Sequence, residues 1–138
     1  MKGFLVDTNV VSEARKGARA DASVVRWIRA HRERLYLSVL VTGEIRRGIE
    51  SIRRRDARAA QALERWLREV ETQFDDRILP VDALVADRWG RLSAHRPVST
   101  VDGLLAATAL VHGLTLATRS IRDVAATGVP CVDPFRPS

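Results

Sequence analysis

The sequence predicts an α/β domain built on a parallel sheet of short strands, and three observations carry that reading. Short apolar runs recur along the chain without the alternation expected of a half-solvated strand. Segments whose apolar residues repeat every three to four positions separate those runs. Glycine and proline punctuate the later junctions between the two.

Taken in order, the strand-like runs are residues 3–6, 35–38, 78–81, 115–117 and 129–132, each short, apolar and expected to be covered on both faces. Helical period appears between them in Val24, Trp27 and Ile28, then in Ile45, Ile49 and Ile52, and then in Leu63, Trp66, Leu67 and Val70. It returns in Leu84, Val85, Trp89 and Leu92, and finally in Leu104, Leu105, Thr108 and Val111. Gly113 suits the end of the helix that begins near Asp102, and Gly128-Val129-Pro130 breaks the chain before the last strand. No repeat, Ser/Gly linker or low-complexity tail interrupts the pattern, so residues 1–138 are expected to form one domain.

A chain of 138 residues can bury most of its apolar surface without staples. The single cysteine, Cys131, excludes an internal disulfide and a thiolate zinc cluster, and it fits a reducing compartment, so a cytoplasmic location is the expectation. No run approaches the roughly 20 apolar residues of a membrane span. The formal net charge is +6, carried almost wholly by arginine because the only lysines are Lys2 and Lys16. Arginine's planar fork grips phosphate in two places, which makes a polyanionic partner plausible. The densest charge run, Arg53-Arg54-Arg55-Asp56-Ala57-Arg58, falls between two helical segments and reads as a solvated helix end or turn.

In open parallel sheets, ligands collect beyond the carboxyl ends of the strands. Asp7 ends the first strand, Glu44 lies about two turns into the helix after the second, Asp102 opens a helix, and Asp123 follows the fourth strand. The spacing permits the four to meet. Two carboxylates about 4 Å apart repel by roughly 4 kcal/mol at an effective dielectric near 20, so an ionised cluster calls for cations. All-oxygen ligation favours a hard ion such as Mg²⁺, which keeps several waters and shares a sparse site with substrate phosphate. The chemistry expected of such a cluster is metal-assisted phosphodiester hydrolysis. Each acid also has a structural alternative. Asp7, with Thr8 and Asn9, can cap the next helix, while Ser99 with Asp102 and Ser120 with Asp123 have capping-box spacing, the favoured account of Asp123 alone. Glu44 stands beside Ile45 among apolar neighbours, where a merely solvated glutamate is less expected.

Four segments together resemble the PIN-domain ribonucleases, and within them the VapC toxins of bacterial toxin–antitoxin pairs, including the FitB-like branch. They are Leu5-Val6-Asp7-Thr8-Asn9 with the residues that follow to Glu13, Leu37-Ser38 running through Gly43-Glu44-Ile45-Arg46-Arg47, Val101-Asp102-Gly103-Leu104-Leu105, and Leu116-Ala117-Thr118-Arg119 running to Asp123. The resemblance implies a Rossmann-like PIN fold with strand order 3-2-1-4-5 flanked by helices. It implies that Asp7, Glu44 and Asp102 hold Mg²⁺ or Mn²⁺ directly or through water, that Asn9 positions the site, and that Thr118 hydrogen-bonds a metal water or ligand. The chain departs from the pattern at Ser120, where many relatives carry Asn or Asp. Either Asp123 supplies a fourth catalytic carboxylate, or one ion is held firmly and a second arrives only with substrate. Arg119, followed by Arg46 and Arg47, is the nearest candidate to hold an RNA backbone. The implied partners are an RNA substrate, a second copy of the chain, and a cognate VapB-type antitoxin that covers the acidic groove. The implied activity is that of a toxin that cuts RNA, the alternative being a PIN-like scaffold that binds RNA or protein after its site has decayed at Ser120.

Rival enzyme classes lack their residues. Phosphotransferases of the haloacid-dehalogenase type want a second Asp where Asn9 stands, and they and receiver domains need a lysine further along, whereas both lysines lie within the first 16 residues. No G-x-G-x-x-G or P-loop motif occurs, and His31, His95 and His112 lack zinc spacing and are read as structural.

Overall fold

Five parallel strands, β1 (Phe4–Val6), β2 (Leu35–Ser38), β3 (Ile78–Leu79), β4 (Thr115–Ala117) and β5 (Cys131–Val132), form one sheet in the order β3-β2-β1-β4-β5. This is the expected order and class, seen in a computed structural model that describes residues 2–136; Met1, Pro137 and Ser138, the ends of the domain read from the sequence, lie outside it. The two edge strands are shorter than their apolar runs for a local reason. Pro80 follows β3 and has no N–H to extend the ladder, and Pro130 precedes β5, offering only its carbonyl, which accepts from Leu116 N at 2.8 Å.

Among the described residues, seven α-helices flank the sheet: α1 (Thr8–Ala14), α2 (Ala22–His31), α3 (Val39–Ile52), α4 (Ala57–Phe74), α5 (Ala83–Ser93), α6 (Thr100–His112) and α7 (Ile121–Val124). The first six start on a side-chain cap, from Asp7, Asp21, Ser38, Asp56, Asp82 and Ser99 in turn, each accepting a backbone N–H of the first turn. Such caps contribute about 1 kcal/mol each and fix where the chain leaves each preceding segment. Gly113 closes α6 with φ 67°, a left-handed conformation that glycine adopts without a Cβ penalty.

The core forms where strand side chains meet helix stripes. Leu5, Leu37 and Leu116 of the three central strands are fully buried, with Val10, Val41, Ile49 and Leu105 from the helices. Each such side chain contributes about 1.5–3 kcal/mol by leaving water. A smaller core joins α5 to α6 through Val85, Leu92 and Ala107. Helix α6 is buried along Gly103, Leu105, Ala106, Ala107, Thr108 and Ala109, and the glycine and alanines among them let it pack close to its neighbours. Its closest approach is at Gly103, where a Cβ would stand 2.9 Å from the Trp89 ring. His31 is structural, with Nδ1 2.8 Å from Trp27 O and its ring edge-on to Phe4. Among the described residues, no helix is long and apolar enough to cross a membrane.

Candidate functional site

Strand register brings the first pair of site residues together. Val6 lies beside Ala117, Asp7 N donates to Ala117 O at 2.9 Å, and Thr118 N donates to Val132 O at 2.9 Å. Asp7 and Thr118 therefore leave the carboxyl ends of adjacent central strands side by side. Asp7 is 9% exposed and Thr118 is 1% exposed. Thr118 Oγ1 donates to Asp7 Oδ2 at 2.8 Å, and Thr8 N donates to Asp7 Oδ1 at 2.7 Å.

Asn9 braces this pair. Its Nδ2 lies 3.5 Å from Asp7 Oδ2, 3.4 Å from Thr118 Oγ1 and 3.5 Å from Ser120 Oγ, while its Oδ1 accepts from Arg119 N at 3.2 Å. Ser120 N donates back to Thr118 Oγ1 at 3.0 Å, a local turn of the kind threonine favours. Thr118, Arg119 and Ser120 are thus tied to the start of α1 by a single amide side chain.

Glu44 reaches the same end of the sheet from α3. Val41, Ile45 and Ile49 form the buried stripe of that helix, so Glu44, one position off it, is exposed. Thr8 Oγ1 donates to Glu44 Oε1 at 2.6 Å and ties α1 to α3. Asp102 occupies the first turn of α6, where the helix dipole favours a carboxylate. Ser99 Oγ accepts from Asp102 N at 3.2 Å and donates to Asp102 Oδ2 at 2.9 Å, so the cap expected from the sequence forms there.

The carboxyl of Asp7 is pushed above the usual carboxylate range, chiefly by burial. The bonds from Thr118 and Thr8 pull it down, and the charges of Glu44 and Asp102 push it up again. That repulsion places the three acids in one electrostatic neighbourhood. None of the three makes an ion pair among the described residues. Nor, among those residues, do three His, Cys, Asp or Glu side chains stand ready to hold a metal ion. The bond from Thr8 holds Glu44 to the start of α1, and that from Ser99 holds Asp102 to the start of its own helix. The donor set is all oxygen, anionic and lacks a cationic side chain, which fits a hard divalent ion that keeps part of its water.

Asp123 stands apart. It is exposed in the short α7 and makes no side-chain hydrogen bond among the described residues. Its capping account also needs correction, because Ser120 makes no side-chain cap on α7: its hydroxyl faces Asn9 instead.

The arginines divide. Arg119 is exposed beside Asn9, with its guanidinium 3.9 Å over the Phe135 ring. Arg47 is exposed and makes no hydrogen bond or ion pair among the described residues. Arg46 is withdrawn from the expected role, because its Nη1 is paired with Glu64 at 2.6 Å and Glu50 at 3.2 Å.

Sequence reasoning missed the link from Thr8 to Glu44, for which only a hydroxyl beside Asp7 gave any signal. It also missed Phe135, which nothing local connects to Arg119. Glu13, 8% exposed, was passed over as well; it accepts from Asp21 N at 2.8 Å and pairs with Lys16 at 2.9 Å. Those bonds, that from Lys16 foremost, hold its carboxyl below the usual range against the upward push of burial, and the bond from Asp21 N fixes the start of α2.

The sequence profile described as PIN domain matches residues 4–122. The chain is similar to VapC ribonuclease Y4jK of Sinorhizobium fredii, 33% identical with 98% of this chain and 99% of that protein covered. It is similar to toxin FitB of Neisseria gonorrhoeae, 31% identical with 96% and 98% covered. Among solved structures, FitAB bound to the IR36 DNA fragment superposes with a TM-score of 0.86 at 28% identity, covering 98% of this chain and 97% of that one.

Proposed function

The chain belongs to the PIN-domain family, and on that premise we propose that it is the toxin of a toxin–antitoxin pair, an endoribonuclease dependent on Mg²⁺ or Mn²⁺. The observation that carries the reading is Asp7, buried at the carboxyl end of the central strand and repelled by Glu44 and Asp102, with no cationic side chain to compensate. Asp7, Glu44 and Asp102 would hold the ion. When bound, the ion stabilises negative charge developing on a phosphodiester during hydrolysis and activates the attacking water.

The chain's own residues do the rest. Thr118 and Thr8 N orient Asp7 and keep its carboxyl ionisable despite burial, and Asn9 fixes the turn that presents Arg119. Arg119, exposed and joined to Asn9 through its backbone N–H, would supply a counter-charge to an RNA phosphate. A cognate antitoxin, the partner seen in the FitAB complex, would cover the acidic groove with a basic segment and a second copy of the chain would complete a homodimer, as the resemblance to VapC-type toxins implies.

The test is to incubate the purified protein with total RNA and Mg²⁺ or Mn²⁺, with EDTA and Asp7→Asn as controls, and to map the ends produced. Cleavage should vanish in both controls. Cleavage that persists in either would overturn the metal-nuclease reading. The position of Ser120 favours a second reading, a scaffold that binds without cutting; intact RNA in every arm, with Mn²⁺ binding unchanged by Asp7→Asn, would establish it.

A further inference from the structure

Between residues 46 and 58 the chain carries six arginines and two carboxylates, and the structure separates those arginines into two sets. Arg46 and Arg53 are neutralised internally. Arg46 pairs with Glu64 and Glu50, and Arg53 Nη2 pairs with Glu50 at 2.7 Å and Glu64 at 3.2 Å. The Arg53 guanidinium is the main cause that holds the Glu50 carboxyl down at about 2. Asp56, the second carboxylate, caps α4 by accepting from Ala59 N at 3.0 Å. Arg47, Arg54, Arg55 and Arg58 remain, all exposed and all without a hydrogen bond or ion pair among the described residues.

The paired set holds the unpaired set in place. The Arg46–Glu50–Arg53–Glu64 network fastens α3 to α4, and the turn between them is closed by Arg55 N and Asp56 N on Ile52 O, at 3.1 and 2.9 Å. Four uncompensated guanidinium groups on one hairpin repel one another, and nothing inside the fold calls for them. The tip also offers no apolar anchor for a protein partner, since the exposed large hydrophobics among the described residues are Val39, Leu84 and Ile121.

The path from this tip to the acids is bare. Gly48 and Ser51 follow Glu44 at i+4 and i+7 along α3, both exposed, and a Cβ on Gly48 would meet nothing within 4 Å. A glycine inside an exposed helix is less favourable than alanine, and packing within the chain does not account for it here. It leaves the helix backbone open to close approach.

We propose that the α3–α4 tip docks the sugar–phosphate backbone of RNA, gripping the substrate several nucleotides from the bond that is cut. The inference rests on the nuclease reading for its choice of RNA. Eight residues of α3 separate Glu44 from the helix end at Ile52, about 12 Å at 1.5 Å per residue, and Arg54 lies in the turn just beyond. At roughly 3.4 Å per stacked nucleotide, that is three to four nucleotides. Guanidinium forks match phosphate, and a surface of arginines without apolar anchors reads charge and shape rather than base sequence.

The test measures binding in EDTA, so that docking is read independently of cleavage. Wild type and the triple variant Arg54→Gln/Arg55→Gln/Arg58→Gln are titrated with a folded RNA of about 30 nucleotides and with a trinucleotide too short to reach from site to tip. Salt concentration is varied throughout. The wild type should prefer the long RNA. The variant should lose most of that preference, and its plot of log K against log salt should be shallower by about 2, from roughly 0.7 for each of three phosphates. A comparator, Arg29→Gln/Arg68→Gln/Arg88→Gln, removes the same charge from exposed positions elsewhere and should keep the wild-type slope. Equal losses in the two triples, or wild-type binding indifferent to length, would overturn the proposal. A DNA duplex that competes as well as the RNA would reassign the tip to DNA. Length-dependent binding without cleavage when metal is restored would retain the docking surface and sink the nuclease reading alone.

Discussion

Replacing Thr118 by valine removes one buried hydroxyl at nearly constant volume. In the wild type that hydroxyl donates to Asp7 Oδ2 at 2.8 Å and accepts from Ser120 N at 3.0 Å. A hydrogen bond to a charged partner contributes about 1.5–3 kcal/mol net, and the lost acceptor leaves the Ser120 N–H short of a partner. The expected loss at neutral pH is therefore about 2–3 kcal/mol. At about 2–4 °C per kcal/mol for a chain near this size, melting should fall by roughly 5–10 °C. The pH dependence has a definite sign. The folded-state carboxyl of Asp7 already sits above its ordinary 3.8, so its contribution to stability is full below 3.8 and is lost as pH rises through the folded value. The Thr118 bond offsets part of that loss, so the deficit of Thr118→Val should be largest near pH 8 and narrow toward pH 4. Thermal melts of both proteins in EDTA across that range measure it, and Thr118→Ser, which keeps the hydroxyl, should recover most of the difference. A pH-independent deficit, or a serine variant as impaired as the valine one, would show that Thr118 acts through packing rather than through Asp7.

The same sign governs Asp7→Asn, which should abolish cleavage and Mn²⁺-induced stabilisation while melting higher than wild type in EDTA at pH 7; that advantage should fade toward pH 4. Glu44→Gln and Asp102→Asn should each lower cleavage of RNA by about a hundredfold or more, the scale of losing a key transition-state contact. Asp123→Asn, by contrast, should stay within a few-fold, as initial-rate assays on one RNA would reveal. Gly103→Ala presses a methyl against the Trp89 ring at 2.9 Å, an overpacking worth about 1–3 kcal/mol. Chemical denaturation should show that cost largely relieved in Gly103→Ala/Trp89→Leu, because the two residues touch and their effects are coupled.

The strand runs were legible because central strands covered on both faces leave no alternation to disguise them, and the predicted bounds 35–38 and 115–117 match β2 and β4. The edges were less legible, since apolar sequence continues past the point where Pro80 and Pro130 end the ladder. Of the site, Asp7 and Asp102 could be picked out as acids at element ends and Glu44 as an acid among apolar neighbours, and Asp7 feels the charge of the other two. The arginines could not be sorted in the same way. Arg46 and Arg47 are neighbours in sequence, yet one helix step of about 100° turns the first toward Glu64 on α4 and leaves the second in water. Only the packing of α3 against α4 decides which is which.

Capping and ligation, which compete as explanations of Asp7 in the sequence, are compatible in the fold because a carboxylate has two oxygens and about four acceptor sites. Oδ1 of Asp7 caps α1 through Thr8 N while Oδ2 takes the Thr118 hydroxyl. At the other two acids one oxygen is held and, among the described residues, the other is free. Ser99 holds Oδ2 of Asp102 and Thr8 holds Oε1 of Glu44, each by a neutral hydroxyl, and among the described residues Asp102 Oδ1 and Glu44 Oε2 accept no hydrogen bond. Three carboxylates are thus each held by one hydroxyl and none by a cation. A hydroxyl fixes orientation without neutralising charge, so the repulsion felt at Asp7 persists and favours whatever cation enters. The residues that cap α1 and α6 thus leave carboxylate oxygens free at the candidate site, and a helix-start signature in this chain is no argument against a functional acid.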